Sequence, residues 1–155
     1  MHSRIFQVDI KPIDECDYIE ESNYWDHWFL NEVADYVVDS RDRNYDIDWL
    51  KSCYESKGIE FGADKNGKYF IVKNKRNYFA DKFEAYTEVL DKLQHYTLDD
   101  FINGIHDMWS LKNYYEEKFG FYVDVDGELL SFDGFIRYCT TDIKYYIGGT
   151  IDYHC

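Results

Sequence analysis

The stretch VDVDGELL, residues 123–130, contains carboxylates at a spacing found in calcium-binding loops. If its glycine were that of an EF-hand loop, Asp124 and Asp126 would fill the third and fifth ligand positions. The first position would then fall on Tyr122 and the twelfth on Asp133, where such loops use an aspartate and a glutamate. An Asp-Gly pair between two strand-like runs is also typical of a two-residue type I′ turn. The sequence therefore favours a hairpin turn over a metal site.

Histidines and cysteines, which supply most metal ligands and many nucleophiles, show no catalytic spacing. There is no H-E-x-x-H motif, no C-x-x-C pair and no glycine-rich loop of the kinds that bind phosphates. We therefore predict no cofactor and no metal, and favour a protein that is not an enzyme. The alternative is a small enzyme whose active site is assembled from separated Cys, His and carboxylate residues, for example His27 with His106 and a carboxylate.

The acidic residues are concentrated in the first third of the chain. The protein has 31 acidic and 17 basic residues, and its net charge is −14 at pH 7. The segment from Asp14 to Asp48 holds twelve acidic residues against two arginines, a net charge of −10. Such a segment repels nucleic acid and anionic membranes and attracts basic surfaces. We expect a partner-binding acidic face made of Glu20, Glu21, Asp26, Asp35, Asp39 and Asp42.

These charges predict a non-catalytic protein that binds another macromolecule through a basic surface of that partner. One form of this hypothesis is an inhibitor or DNA mimic that occupies the nucleic-acid-binding surface of a partner protein. In its small size, its negative charge and its aromatic content of 20%, the chain is similar in composition to inhibitors that act as DNA mimics, including antirestriction and some anti-CRISPR proteins. A gene located in a mobile element would favour this hypothesis. The 17 basic residues offset part of the acidic charge, and no motif of a named family accompanies the likeness.

A basic run in the middle of the chain suggests a different kind of partner. Its residues are Lys65, Lys68, Lys73, Lys75 and Arg76. Lysines interleaved with Tyr69 and Phe70 could stack single-stranded nucleic acid, which makes direct nucleic-acid binding through a hairpin at 65–76 a further alternative. The same pattern also fits an ordinary strand with charged ends, which prevent aggregation at a sheet edge. The basic run could also face the acidic segment, in this chain or in a second copy.

Hydrophobic periodicity predicts the elements that would position these residues. Residues 3–10 alternate as a half-buried strand, and residues 24–40 have the apolar spacing of a helix whose other face is acidic. We expect Asp46 to cap a shorter helix that ends at Gly58. An Asn66-Gly67 type I′ turn is expected to join two strands.

Two longer helices are expected after that hairpin. Asn77 is expected to cap the first, and Thr97 with Asp100 forms a capping box at the start of the second. In the final 35 residues we expect a β-meander, with turns at Asp126-Gly127 and Asp133-Gly134 and a bulge at Gly148-Gly149.

These elements predict a single α+β domain over residues 1–155, with an antiparallel sheet of hairpins and a C-terminal meander packed against about four α-helices. The first 15 residues do not resemble a signal peptide, and no run approaches the ~20 apolar residues that span a bilayer. We therefore expect a cytoplasmic protein with free thiols. The cysteines are Cys16, Cys53, Cys139 and Cys155.

Overall fold

The computed structural model describes residues 1–155, with Ile105 described by its backbone alone. Its strands are β1 (His2–Asp9), β2 (Tyr36–Asp39), β3 (Ile59–Asp64), β4 (Gly67–Val72), β5 (Tyr122–Val125), β6 (Glu128–Ser131) and β7 (Lys144–His154). Its α-helices are α1 (Phe29–Glu32), α2 (Arg43–Tyr54), α3 (Lys75–Gln94), α4 (Leu98–Asn103), α5 (Ile105–Tyr115) and α6 (Phe132–Tyr138). Short 3-10 helices lie at Glu15–Asp17, Glu21–Tyr24 and Glu55–Lys57.

The strands form one sheet in the order β3-β4-β7-β1-β5-β6, and β2 also pairs with β7. β1 follows one edge of β7, while β4 and β2 share the other edge at its two ends. β1 and β5 are parallel, whereas the other pairs are antiparallel. The prediction of mixed α and β structure is confirmed. The prediction of an antiparallel sheet is wrong, because β1 and β5 are parallel and the sheet is mixed. The prediction of about four helices is also wrong, because the structure has more helices than that.

The opening stretch VDVDGELL forms the hairpin of β5 and β6. Asp126 and Gly127 both have positive φ, 53° and 82°, as a type I′ turn requires. The buried Asp124 reinforces the turn by accepting a hydrogen bond from the Gly127 N–H at 2.9 Å. The turn prediction is therefore confirmed at this pair.

The second Asp-Gly pair is not a turn, and the predicted C-terminal meander is wrong. Asp133 and Gly134 lie inside α6, whose first turn is capped by Ser131, which accepts from the Gly134 N–H at 3.0 Å. This helix separates the β5–β6 hairpin from β7, which lies between β4 and β1 instead of beside β6. A serine cap thus prevails over the hairpin signal of the Asp-Gly pair.

The predicted acidic helix over residues 24–40 is also wrong. Tyr24, Phe29 and Val33 are buried, whereas Trp25 and Trp28 are exposed by 66% and 46%. The buried residues therefore do not follow one helical face, and the segment divides into a 3-10 helix, the four-residue α1 and β2. The open edge of β7 offers the end of this segment backbone partners, so tertiary pairing overrides the local helical pattern.

Two helices begin earlier than predicted. Asp42, not Asp46, caps α2 and accepts from the Tyr45 N–H at 3.0 Å. Asn74, not Asn77, caps α3 and accepts from the Asn77 N–H at 3.2 Å.

The remaining turn and capping signals have mixed outcomes. The Thr97–Asp100 capping box is present at α4. The β3–β4 hairpin forms, but Asp64 pairs with Gly67, so its two loop residues are Lys65 and Asn66. Only Gly67 has positive φ there, so the expected Asn66-Gly67 type I′ turn is wrong.

The sheet is covered by apolar residues on both faces. The first cluster includes Phe6, Val8, Leu50, Phe70, Tyr78, Val123, Phe132, Ile136, Tyr145 and Ile147. The second includes Ile5, Tyr24, Phe29, Val33, Ala34, Tyr122, Leu129, Ile151 and Tyr153. The first cluster joins the sheet to α2, α3 and α6, and the second joins it to the segment around α1.

The predicted Gly148-Gly149 bulge lies where β7 changes face. Phe6 pairs with Thr150 but Val8 pairs with Ile147, so β7 has one extra residue at this point. A Cβ at Gly149 would lie 2.9 Å from the backbone of Ile19, so glycine permits the close approach of that segment.

A buried carboxylate joins α2 to the sheet. Asp46 is 1% exposed, and its Oδ1 accepts from Arg4 Nε at 2.6 Å. Its Oδ2 accepts from the hydroxyl of Thr150 at 2.8 Å and from that of Ser40. The charge is therefore paired and both carboxylate oxygens are bonded, as a buried carboxylate requires.

We predict that Asp46→Asn destabilises the protein by about 2–4 kcal/mol, because it removes one charge of a buried pair. Chemical denaturation of the variant and the parent measures the difference. The matched control is Asp48→Asn, since Asp48 is exposed and its contact with Lys68 is 3.8 Å long. The control should change stability by less than about 0.5 kcal/mol. Equal effects of the two substitutions would contradict the role given to Asp46.

Candidate binding surfaces

Two of the six predicted partner-binding carboxylates are joined by hydrogen bonds where β2 leads into α2, and two more adjoin them in the chain. The Glu21 N–H donates to Asp39 Oδ1 at 2.7 Å, and the Asp39 N–H donates to Glu21 Oε2 at 3.4 Å. Glu20 adjoins Glu21 in the chain, and Asp42 follows Asp39 as the cap of α2. We call Glu20, Glu21, Asp39 and Asp42 the acidic corner. It arises from backbone hydrogen bonding and a helix cap, not from a helix face.

The other two predicted carboxylates are not part of this group. Asp35 lies at the opposite end of β2, about 13 Å from Asp39 along the strand, and contacts His154 Nδ1 at 3.0 Å. Asp26 is exposed, and no hydrogen bond joins it to the acidic corner among the described side chains.

Most acidic residues of the segment 14–48 have no cationic partner. Asp35, Asp46 and Asp48 contact His154, Arg4 and Lys68 respectively. Among the described side chains, nine others have no basic nitrogen within 4.0 Å, and all but the half-buried Glu21 are exposed. These nine are Asp14, Glu15, Asp17, Glu20, Glu21, Asp26, Glu32, Asp39 and Asp42. The fold thus leaves this charge available at the surface.

Several basic residues of the central run are occupied by contacts within the protein. Lys73 contacts Asp142 at 3.2 Å and Glu60 at 3.8 Å, and these acids raise the pKa of Lys73. Lys75 Nζ donates to the carbonyls of Arg137 and Cys139 at the end of α6.

The other bases of this run differ in their surroundings. Lys68 contacts Asp48 at 3.8 Å. Among the described side chains, Lys65 and Arg76 have no acidic partner within 4.0 Å, and both are exposed. Phe70 is buried and Tyr69 lies under the Lys144 ammonium, so neither ring forms an open stacking platform.

A groove of about 580 Å³ lies at the carboxyl ends of the parallel strands β1 and β5. Its polar walls include Asp9, Asp17, His27 and Asp126, and Asp124 lies at its inner side. Grooves at the carboxyl ends of parallel strands are frequent ligand sites in α/β proteins. The sequence placed Asp124 and Asp126 in a turn but gave no signal that the segment 9–27 would approach them.

The groove holds a tyrosine bonded to a buried carboxylate. The Tyr24 hydroxyl donates to Asp124 Oδ2 at 2.7 Å, and burial together with this carboxylate raises the pKa of Tyr24. His27 Nδ1 accepts from the Phe29 N–H at 3.3 Å, which leaves the proton of a neutral imidazole on Nε2. His106 lies on α5 and does not line the groove, so the pairing of His27 with His106 is not formed. Among the described residues, no three His, Cys, Asp or Glu side chains could hold one metal ion.

The helices α3, α4 and α5 form a third surface, which we call the helical arm. No described side chain from Phe79 to Tyr115 is buried. The sequence predicted two longer helices here, but it could not indicate that the fold leaves their apolar side chains uncovered. Phe101 and Ile102 are exposed by 78% and 68%.

Two further findings concern the cysteines and the length of the helices. Cys16, Cys53, Cys139 and Cys155 are free thiols, and burial raises the pKa of Cys139. Among the described residues, no helix combines the length and the apolar character needed to cross a membrane.

Comparison with known proteins provides no functional assignment, since no family model, curated protein or solved structure matches this chain.

Proposed function

We propose that the protein is a non-catalytic binding protein whose acidic corner meets a basic surface of another macromolecule. The observation that carries this proposal is the group of nine carboxylates between Asp14 and Asp42 without a cationic partner among the described side chains. Uncompensated surface charge of one sign attracts an oppositely charged partner over distances of about a Debye length, ~10 Å at 0.1 M salt. Its main effect is a faster association rate.

The finer form of the proposal is an inhibitor or DNA mimic that competes for a nucleic-acid-binding surface. A mimic needs carboxylates at a density that approaches that of phosphates, which is one per 3.4 Å along each DNA strand. The acidic corner supports this form by placing four carboxylates on adjoining segments. The separation of about 13 Å between Asp35 and Asp39 supports this form less, because it is several times the spacing of phosphates along a DNA strand. We therefore keep the partner as a basic protein surface without restricting it to a DNA-binding protein.

We predict that Glu21→Gln with Asp39→Asn slows association with a basic probe about tenfold at low salt. The probe is a short arginine- and lysine-rich peptide on a sensor surface. Both substitutions remove charge but keep an oxygen that can accept the mutual backbone hydrogen bonds. The difference should vanish at about 0.5 M salt, where the charges are screened.

The control is Asp126→Asn with Glu128→Gln in the β5–β6 hairpin, which removes the same charge elsewhere. If both double variants slow association equally, total charge explains the binding and the acidic corner has no special role. An association rate that does not change between low and high salt would contradict the proposal as a whole.

A second candidate function, a small enzyme, is favoured by the groove beside His27. His27 lines the same groove as Asp9, Asp17 and Asp126, and side chains of these types can transfer protons. We expect purified protein to contain no stoichiometric transition metal by elemental analysis. Stoichiometric zinc or manganese that is lost in His27→Ala, but retained in His106→Ala, would favour the enzyme over the binding protein.

A third candidate, direct nucleic-acid binding through residues 65–76, depends on Lys65 and Arg76, because the other bases of this run have partners within the chain. We predict no measurable binding of single-stranded DNA or RNA at physiological salt, since the net charge of −14 opposes it. A gel-shift or anisotropy titration checks this. Binding that Lys65→Glu with Arg76→Glu abolishes without a change in stability would support the nucleic-acid function instead.

A further inference from the structure

The helical arm lacks a core of its own. Across 37 consecutive residues, 79 to 115, no described side chain is buried. Short helices gain most of their stability in proteins from packing an apolar face against another element. α3 packs on α5, and Tyr86 meets Tyr115 with ring centroids 6.4 Å apart, but this contact leaves much of the apolar surface of the arm in solvent.

The uncovered surface of the arm is large. Its exposed apolar residues between positions 83 and 111 are Phe83, Leu90, Leu98, Phe101, Ile102, Met108 and Trp109, with exposures from 37% to 78%. Seven side chains of this size offer an area on the order of the ~800 Å² that each partner buries in a standard protein interface. Leu98, Phe101 and Ile102 have the i, i+3, i+4 spacing of one helix face. Exposed apolar surface of this extent favours an interaction site.

The arm is also acidic. Between positions 83 and 111, where its exposed apolar residues lie, it contains six acidic residues and one lysine, Lys92, a net charge of −5. Over the whole of α3, α4 and α5 the net charge is −2, from seven acidic and five basic residues. Lys92 contacts Asp107 at 2.7 Å, and hydrogen bonds from Lys92 and Tyr96 lower the pKa of Asp107. Among the described side chains, Glu84, Glu88, Asp91 and Asp99 have no basic nitrogen within 4.0 Å.

Apolar and acidic positions run side by side along α3. Phe83 and Leu90 are seven residues apart and lie on one face, and Glu84 and Asp91 follow them by one residue. An apolar row of α3 is therefore flanked by a row of carboxylates. A helix that docks on the apolar row would bring its own flanking residues within reach of these carboxylates.

We propose that the helical arm is a docking surface for a basic amphipathic helix of a partner protein. Apolar side chains of that helix cover Phe83, Leu90 and the exposed face of α4, while its lysines and arginines meet Glu84, Asp91 and Asp99. The charge of the arm decides against two other occupants. A second copy would bring the same acidic stretch, residues 83–111, to the interface, and an anionic membrane would repel this stretch. The inference rests on the proposed function and names the class of its partner.

The test titrates the full-length protein into a fluorescently labelled 18-residue peptide. This peptide has leucine on one helical face and lysine on the other, and anisotropy reports its binding. A scrambled peptide of the same composition lacks the apolar face, and a third peptide carries glutamate in place of lysine. We expect the amphipathic lysine peptide to bind at least tenfold more tightly than either control.

The decisive variant is Phe101→Ser with Ile102→Ser, which should weaken binding of the lysine peptide about tenfold or more. Both side chains are exposed, so the denaturation midpoint should not change. The matched control is Ile10→Ser with Tyr138→Ser, two residues outside the arm exposed by 59% and 84%. This control should keep the affinity of the parent.

The outcomes separate this inference from the proposed function. If Glu21→Gln with Asp39→Asn weakens the peptide but the Phe101 and Ile102 variant does not, the acidic corner binds the partner and the arm inference is wrong. If the scrambled peptide binds as well as the amphipathic one, no helix docks on the arm. If the parent sediments as a dimer that the Phe101 and Ile102 variant dissociates, the occupant is a second copy and the inference is overturned.

Discussion

The strand β7 is the element on which the rest of the fold depends. It is eleven residues long and pairs with β1, β4 and β2. The bulge at Gly148-Gly149 shifts its register, so that Tyr145 and Ile147 belong to one apolar cluster and Ile151 and Tyr153 to the other. One strand thereby contributes to the cores on both faces of the sheet. It also provides the edge that pairs with β2 and so positions Asp39 beside Glu21.

The protein uses its carboxylates in two ways. Three buried aspartates hold the fold together, since Asp46 accepts from Arg4, Asp124 from Tyr24, and Asp133 from Tyr78 and Lys82. Burial and the adjacent carboxylates raise the pKa values of Tyr24 and Tyr78, so these phenols remain protonated donors. The carboxylates of the acidic corner accept hydrogen bonds from backbone N–H groups and have no cationic partner among the described side chains. Their charge is therefore not neutralised by the described side chains, and this is the physical basis for the proposal that a basic partner binds them.

The sequence predicted those features that depend on a few adjacent residues. The Asp126-Gly127 turn and the Thr97 capping box are examples, because a positive φ or a free N–H is satisfied locally. The sequence-based predictions failed where contacts beyond the local pattern determine the secondary structure. The segment 24–40 has a helical pattern, but the edge of β7 draws Tyr36–Asp39 into the sheet. Asp133-Gly134 resembles a turn, but Ser131 caps a helix there.

For the candidate surfaces, the sequence predicted that acidic charge would be concentrated early in the chain. It could not predict which carboxylates meet, because Glu21 and Asp39 are 18 residues apart in the chain and the pairing of β2 with β7 positions Asp39. The sequence also could not predict that the apolar side chains of the helical arm would be exposed to solvent. Apolar periodicity indicates that a helix has an apolar face. It does not indicate whether another part of the same chain covers that face.

The central claim is that basic partners meet the acidic corner and the helical arm. Backbone chemical-shift mapping, with an isotope-labelled protein titrated with a basic amphipathic peptide, tests it most directly. The account predicts that the largest shifts fall on residues 20–21, 39–42 and 83–111, and that they diminish as salt is added. Shifts confined to the groove beside His27, or to the hairpin at 65–76, would contradict it.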